Sequence, residues 1–130
     1  MKSALIFAAC GMLIQLSQAR AAEACVSVRT DTGEACMKFA PSEQKAARLY
    51  GVRLGSPFSE ARQVLARKGW HIDREWVRRQ PATPRDGELI CGSGYDAVCT
   101  TAFVRHGRHA FVSLSANNDG MPVIGIGDRE

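Results

Sequence analysis

The sequence predicts an α+β domain in which one or two short helices pack on an antiparallel β-meander, the whole stapled by disulfides. Three observations predict it. Residues 57–68 carry Phe58, Ala61, Val64 and Leu65 at the 3.6-residue period, a single apolar stripe that asks for packing on one side, most simply against a sheet. From Ala97 onward, three alternating runs are separated by short turns, and sequential strands joined that way form an antiparallel meander. Four cysteines, Cys25, Cys36, Cys91 and Cys99, follow a segment with the character of an export leader, and oxidising compartments favour their pairing.

That leader spans Met1 to about Ala21. Lys2 gives it a positive start, Ala4 to Leu16 an uncharged apolar core, and Ala19-Arg20-Ala21 a small-x-small cleavage pattern. The core is shorter than the roughly 20 residues needed to span a bilayer, so the mature chain is expected to lack a transmembrane anchor. A lipoprotein reading at Phe7-Ala8-Ala9-Cys10-Gly11 leaves too little hydrophobic core ahead of the cysteine. Residues 22–130 are then one exported domain, with an N-terminal hairpin over 22–40 and a helix-plus-meander core over 41–130.

The elements follow in order. Cys25-Val-Ser-Val-Arg29 and Ala35-Cys-Met-Lys-Phe39 flank a turn containing Asp31 and Gly33, a hairpin signal that brings Cys25 near Cys36. A short helix is expected over Glu43 to Tyr50, capped by Ser42 and stopped by Gly51, and a clearer one over Pro57 to Lys68, capped by Ser56 and stopped by Gly69. Trp70 to Val77 alternates as a strand, with Trp70, Ile72 and Trp76 on one face and His71, Asp73 and Glu75 on the other. Gln80 to Glu88, holding two prolines and a glycine, is a loop. Strands are expected over Ala97–Arg105, His109–Ala116 and Pro122–Asp128, joined by Arg105-His-Gly-Arg108 and by Asn117-Asn-Asp-Gly120.

The charge narrows the partner class. Seventeen basic and thirteen acidic residues give +4, and loss of Lys2 and Arg20 with the leader leaves fifteen against thirteen, or +2. So mild an excess, on an exported chain, argues against a nucleic-acid partner. The expected partner is another envelope or extracellular protein.

Several constellations invite chemistry. Cys91, Cys99, His106 and His109 could be written as a zinc set, but their spacing matches no familiar module and export favours oxidation. Four cysteines allow three connectivities; nearest-neighbour pairs, Cys25 with Cys36 and Cys91 with Cys99, are favoured because each closes within one local unit. Gly92-Ser93-Gly94 lacks the Gly-x-Ser-x-Gly frame of a nucleophile elbow. Asn117 to Gly120 supplies too few carboxylates for an EF-hand and reads as a turn. No catalytic residue, cofactor site or metal site is assigned. Arg74, Trp76, Arg78, Arg79 and Tyr95 are the candidate interaction surface, because these residue types dominate interface hot spots.

Tyr50-Gly-Val-Arg-Leu-Gly55, the helix Ser59-Glu-Ala-Arg-Gln-Val-Leu65, Gly69-Trp70, and the stretch from Cys91-Gly-x-Gly through Cys99 to Phe103 together resemble an uncharacterised family of small exported bacterial proteins. The resemblance covers roughly Tyr50 to Asp128 and implies a two-layer fold without implying an activity; Ser56-Pro57 stands where that family has methionine-serine. More distantly, the order of Leu-Gly turn, helix and meander is similar to the repeat of the β-lactamase inhibitor protein and to the small outer-membrane assembly lipoprotein. Both bind proteins through such a sheet, which is fold-level analogy. The expected function is a non-enzymatic binding module, an inhibitor or envelope-assembly partner. The alternatives are a hydrolase acting on an envelope polymer, with Asp73, Glu75 or Asp96 beside a histidine, and a metal-binding protein using His106 and His109.

Overall fold

In chain order the elements are strands β1 (Cys25–Thr30) and β2 (Gly33–Lys38), helices α1 (Pro41–Leu49) and α2 (Phe58–Arg67), strand β3 (His71–Ile72), helix α3 (Arg74–Arg79), and strands β4 (Ile90–Cys91), β5 (Val98–Arg105), β6 (Arg108–Ser115) and β7 (Val123–Gly127). The computed structural model describes residues 25–30 and 32–128, so the expected leader lies outside the described residues. The protein is α+β, with antiparallel sheets and two disulfides.

The meander is the centre of the molecule. β5 and β6 pair along their full length, from Val98 opposite Ser115 to Arg105 opposite Arg108. Their turn places His106 at φ +48° and Gly107 at φ +73°, the left-handed pair whose twist suits a two-residue hairpin. β7 adds to β6, with a register shift between Ser113 and Leu114. Just before α2, Gly55 N–H donates to Val123 O at 2.7 Å and Val123 N–H to Ser56 O at 2.9 Å, which pins the start of that helix to β7.

Side chains alternate along a strand, so the sheet has two distinct faces. One carries Cys99, Thr101 and Phe103 of β5, Ala110, Val112 and Leu114 of β6, and Ile126 of β7, all buried. Phe58, Ala61 and Leu65 of α2 and Ala47 of α1 close over it, and Phe58 meets Phe103 edge-on at 6.5 Å. The expected stripe is therefore the helix-to-sheet contact.

The sequence expectations need three corrections. Trp70–Val77 is not a strand: only His71–Ile72 pairs with β5, and the chain then turns into α3. The cause is Asp73, whose Oδ1 accepts the N–H groups of Glu75 at 3.1 Å and Trp76 at 3.0 Å, a helix cap that outweighs the weak alternation. Trp70 and Trp76 consequently do not share a face. Ser42 lies inside α1, whose cap position is Ala40, with the Glu43 carboxylate reaching back to the Ala40 N–H at 2.8 Å. Nor does Ser56 cap α2; its hydroxyl donates to Arg53 O at 2.6 Å, and the cap position is Pro57.

β3 and β4 both pair with β5 on the same edge, β3 opposite Val104 and Phe103 and β4 opposite Thr100 and Cys99. The edge strand is thus split, and α3 belongs to the excursion between its halves. Cys91 and Cys99 sit directly opposite each other in that pairing and are bonded. Cys25 and Cys36, the other favoured pair, close the separate two-stranded sheet of β1 and β2. An isolated hairpin is marginal in water, so the crosslink supplies what a core would. Among the described residues no helix is long and apolar enough to cross a membrane.

Candidate functional site

The second face of the sheet carries the chemistry. Alternation along β6 sends His109, Phe111 and Ser113 away from the Ala110, Val112 and Leu114 core. α3 packs against the β5 part of this face through Val77, which is fully buried. One residue earlier, Trp76 meets Phe111 edge-on, with ring centroids 5.6 Å apart and planes at 61°. The His109 ring stacks on Phe111 at 6.0 Å and 16°. Phe111 is the floor on which both rest.

Asp73 joins helix to strand. Its Oδ1 caps α3 while its Oδ2 lies 2.9 Å from His109 Nε2. The Asp73 carboxyl is held below its ordinary range, first by the Trp76 backbone N–H, against the opposing effect of partial burial, and then by His109. An aspartate with both oxygens engaged orients a ring and fixes a helix start.

The cations of this region have different fates. Arg62 of α2 grips Glu88 with two hydrogen bonds, at 2.5 and 2.9 Å, and Arg74 of α3 reaches the same carboxylate at 2.9 Å. Glu88 is the more buried partner, at 14 % side-chain exposure, so it ties the end of the Gln80–Glu88 loop to both helices. Arg79 pairs with Glu75 one turn away at 3.2 Å, a solvent-exposed contact worth about 0.3–0.5 kcal/mol. Arg78, exposed beside them, makes no salt bridge among the described residues.

Four of the five candidate surface residues, Arg74, Trp76, Arg78 and Arg79, thus share one six-residue helix. Tyr95 does not join them. It is 66 % exposed on the loop before β5, and its carbonyl accepts the Asn117 amide at 2.9 Å.

The other constellations resolve as follows. Cys91 and Cys99 are bonded to each other and so lack the thiolates a zinc set needs. His106 occupies the β5–β6 turn while His109 lies on the sheet face, and no group of three metal-ligating side chains occurs among the described residues. Asn117 and Asn118 act as amide donors, to the carbonyls of Gly94 and Tyr95 and to Ser115 Oγ, so the turn braces neighbouring loops. Ser93 lies in the β4–β5 loop, outside any strand-to-helix turn.

No family model, curated protein or solved structure matches the chain, so geometry alone bears on function. The sequence offered Asp73, Glu75 or Asp96 beside an unspecified histidine without singling out His109, and it gave no role to Glu88. The Asp73–His109 pair spans 36 residues; the alternation of β6 and the Asp-x-x start of α3 were its only signals. The role of Glu88 had none, because it depends on where a loop returns.

Proposed function

We propose that this protein is an exported, non-enzymatic binding module that presents α3 and the adjoining open part of the second sheet face to another envelope or extracellular protein. The observation that carries the reading is Trp76 on its Phe111 floor with Arg78 beside it. A half-buried tryptophan held rigid by a second ring, next to an arginine without a salt bridge, has the composition and low ordering cost of an interface anchor. The Cys91–Cys99 disulfide and the Arg62–Glu88–Arg74 bridge hold the surrounding backbone, which supports recognition without rearrangement. The disulfides also accord with export.

Site-specific photo-crosslinking in intact cells tests this. A photoreactive residue at position 78 is expected to yield one discrete protein adduct, absent when the same residue is placed at Lys45 of α1 and lost with Trp76→Ala. Position 78 giving no adduct, or the same adducts as position 45, overturns the reading.

One observation favours a second reading, a hydrolase acting on an envelope polymer: the Asp73–His109 pair has the geometry of an oriented general base. It ranks lower because the only side-chain hydrogen bond of His109 among the described residues is to Asp73, leaving no hydroxyl or thiol positioned as a nucleophile. Turnover of cell-wall or glycan substrates that vanishes in His109→Gln would reverse the ranking.

A further inference from the structure

At the turn end of the sheet, away from α3, a cleft of about 530 Å³ collects residues distant in sequence. Tyr50 ends α1, Lys68 ends α2, Trp70 precedes β3, Arg105 and Arg108 flank the β5–β6 turn, and Asp128 follows β7. The aromatic wall is fixed: Tyr50 meets Trp70 edge-on at 5.6 Å, and the Arg105 guanidinium lies over the Trp70 ring at 6.0 Å. The Lys68 ammonium passes close over Gly51, which has φ +69° and no side chain to meet it.

Three cations gathered at one site repel one another, and an ordinary surface answers with carboxylates. Here Lys68, Arg105 and Arg108 make no salt bridge among the described residues, although Asp128 lines the same cleft. The three cations less that one carboxylate leave +2. A single carboxylate ligand would cancel half of this, whereas a phosphate monoester carries about −1.5 to −2 near neutral pH and has three acceptor oxygens. Two guanidiniums and one ammonium supply the charge and the N–H donors that such oxygens accept. Tyr50 adds a donor, since burial first, and then the Asp128 carboxylate, push its hydroxyl above the ordinary tyrosine range, with Arg108 opposing.

We propose that this cleft binds a phosphate monoester, with Lys68, Arg105 and Arg108 on its oxygens, the Tyr50 hydroxyl donating to it, and Trp70 forming the wall behind it. The monoester can be carried by a soluble sugar or by a lipid headgroup. The site is separate from the α3 surface and does not depend on the function proposed for it.

The chain's two tryptophans make the test specific, because Trp70 lies in the cleft and Trp76 on the opposite face of the sheet. The disulfide-intact mature protein is titrated with glucose 6-phosphate, with glucose, and with phosphatidylcholine vesicles containing phosphatidic acid, while both indole N–H signals are followed by NMR. Glucose 6-phosphate is expected to shift the Trp70 signal saturably while Trp76 stays in place and glucose has no effect. A Trp70 response to the vesicles alone assigns the monoester to a lipid and also supports the site. Arg105→Ala and Arg108→Ala should each weaken binding about tenfold, the low end for a hydrogen bond to a charged group. Asp128→Asn should tighten it, which a merely structural role would not produce. An unmoved Trp76 signal reports that each variant is folded. No Trp70 response to either phosphate probe, an equal response to glucose, or wild-type affinity in Arg108→Ala overturns the proposal.

Discussion

On one face of the sheet Phe103, Val112 and Leu114 meet Leu65 and Ala61 with almost no exposure to solvent, whereas on the other Phe111, His109, Trp76 and Asp73 are each only partly withdrawn from water. Both faces place a helix on the same strands, yet they differ in what the helix brings. α2 brings a continuous apolar stripe, and α3 brings Val77 alone into full burial beside charged and aromatic neighbours. Stability is therefore concentrated on the first face, leaving the second free to carry groups that stability alone would not select.

The sharpest way to break this contrast is to truncate one residue on each face. Leu65→Ala removes a fully buried side chain and should cost about 2–5 kcal/mol in urea unfolding. Trp76→Ala should cost clearly less, despite its larger volume, because its surface is only partly withdrawn from water. Equal losses would mean that the second face is core after all.

A smaller effect separates the two roles of Asp73. Asp73→Ala loses the cap and the contact to His109 and should cost about 1–2 kcal/mol. Asp73→Asn keeps a good cap but removes the carboxylate. Because the folded pKa of Asp73 lies below its unfolded value, its contribution is fully present above the unfolded pKa, about 3.9, and fades as pH falls through the folded one. The acid limb of the stability curve should accordingly be shallower in Asp73→Asn than in the wild type, as followed by circular dichroism. An identical acid limb in the two proteins would count against this linkage.

The smallest expected effect has the opposite sign. Thr101 is fully buried on the first face, and its hydroxyl has no hydrogen-bond partner among the described residues. Thr101→Val keeps the shape and removes the orphaned group, so it should raise stability by about 1 kcal/mol, a rise of several degrees in Tm. A loss would show that this hydroxyl is satisfied in solution.

What could be read from the sequence follows the same division. The α2 stripe and the alternation of β5 to β7 are local repeats imposed by burial, and they are visible because burial selects residues at fixed spacing. The cysteine pairs were readable for a related reason, since each closes a short local loop. Arg74 to Arg79 is too short to display a helical period, and a single cap decided its structure. The contact of Asp73 with His109, and the gathering of Lys68, Arg105 and Arg108, depend on strand register and on where α1 and α2 end. Such long-range coincidences leave no mark on neighbouring residues.

The divided edge strand gives this protein a modular quality. The excursion that includes α3 leaves the sheet at Ile72, opposite Phe103, and rejoins it at Ile90, opposite Thr100, so both of its ends are moored within three positions on one strand. Doubling the length of a segment anchored in this way costs only about 0.6 kcal/mol in closure entropy. Of residues 73–89 only Val77 and Leu89 are buried, Leu89 as part of the core, so a scaffold of this kind can acquire new recognition by replacing the exposed positions of the excursion while those two are kept.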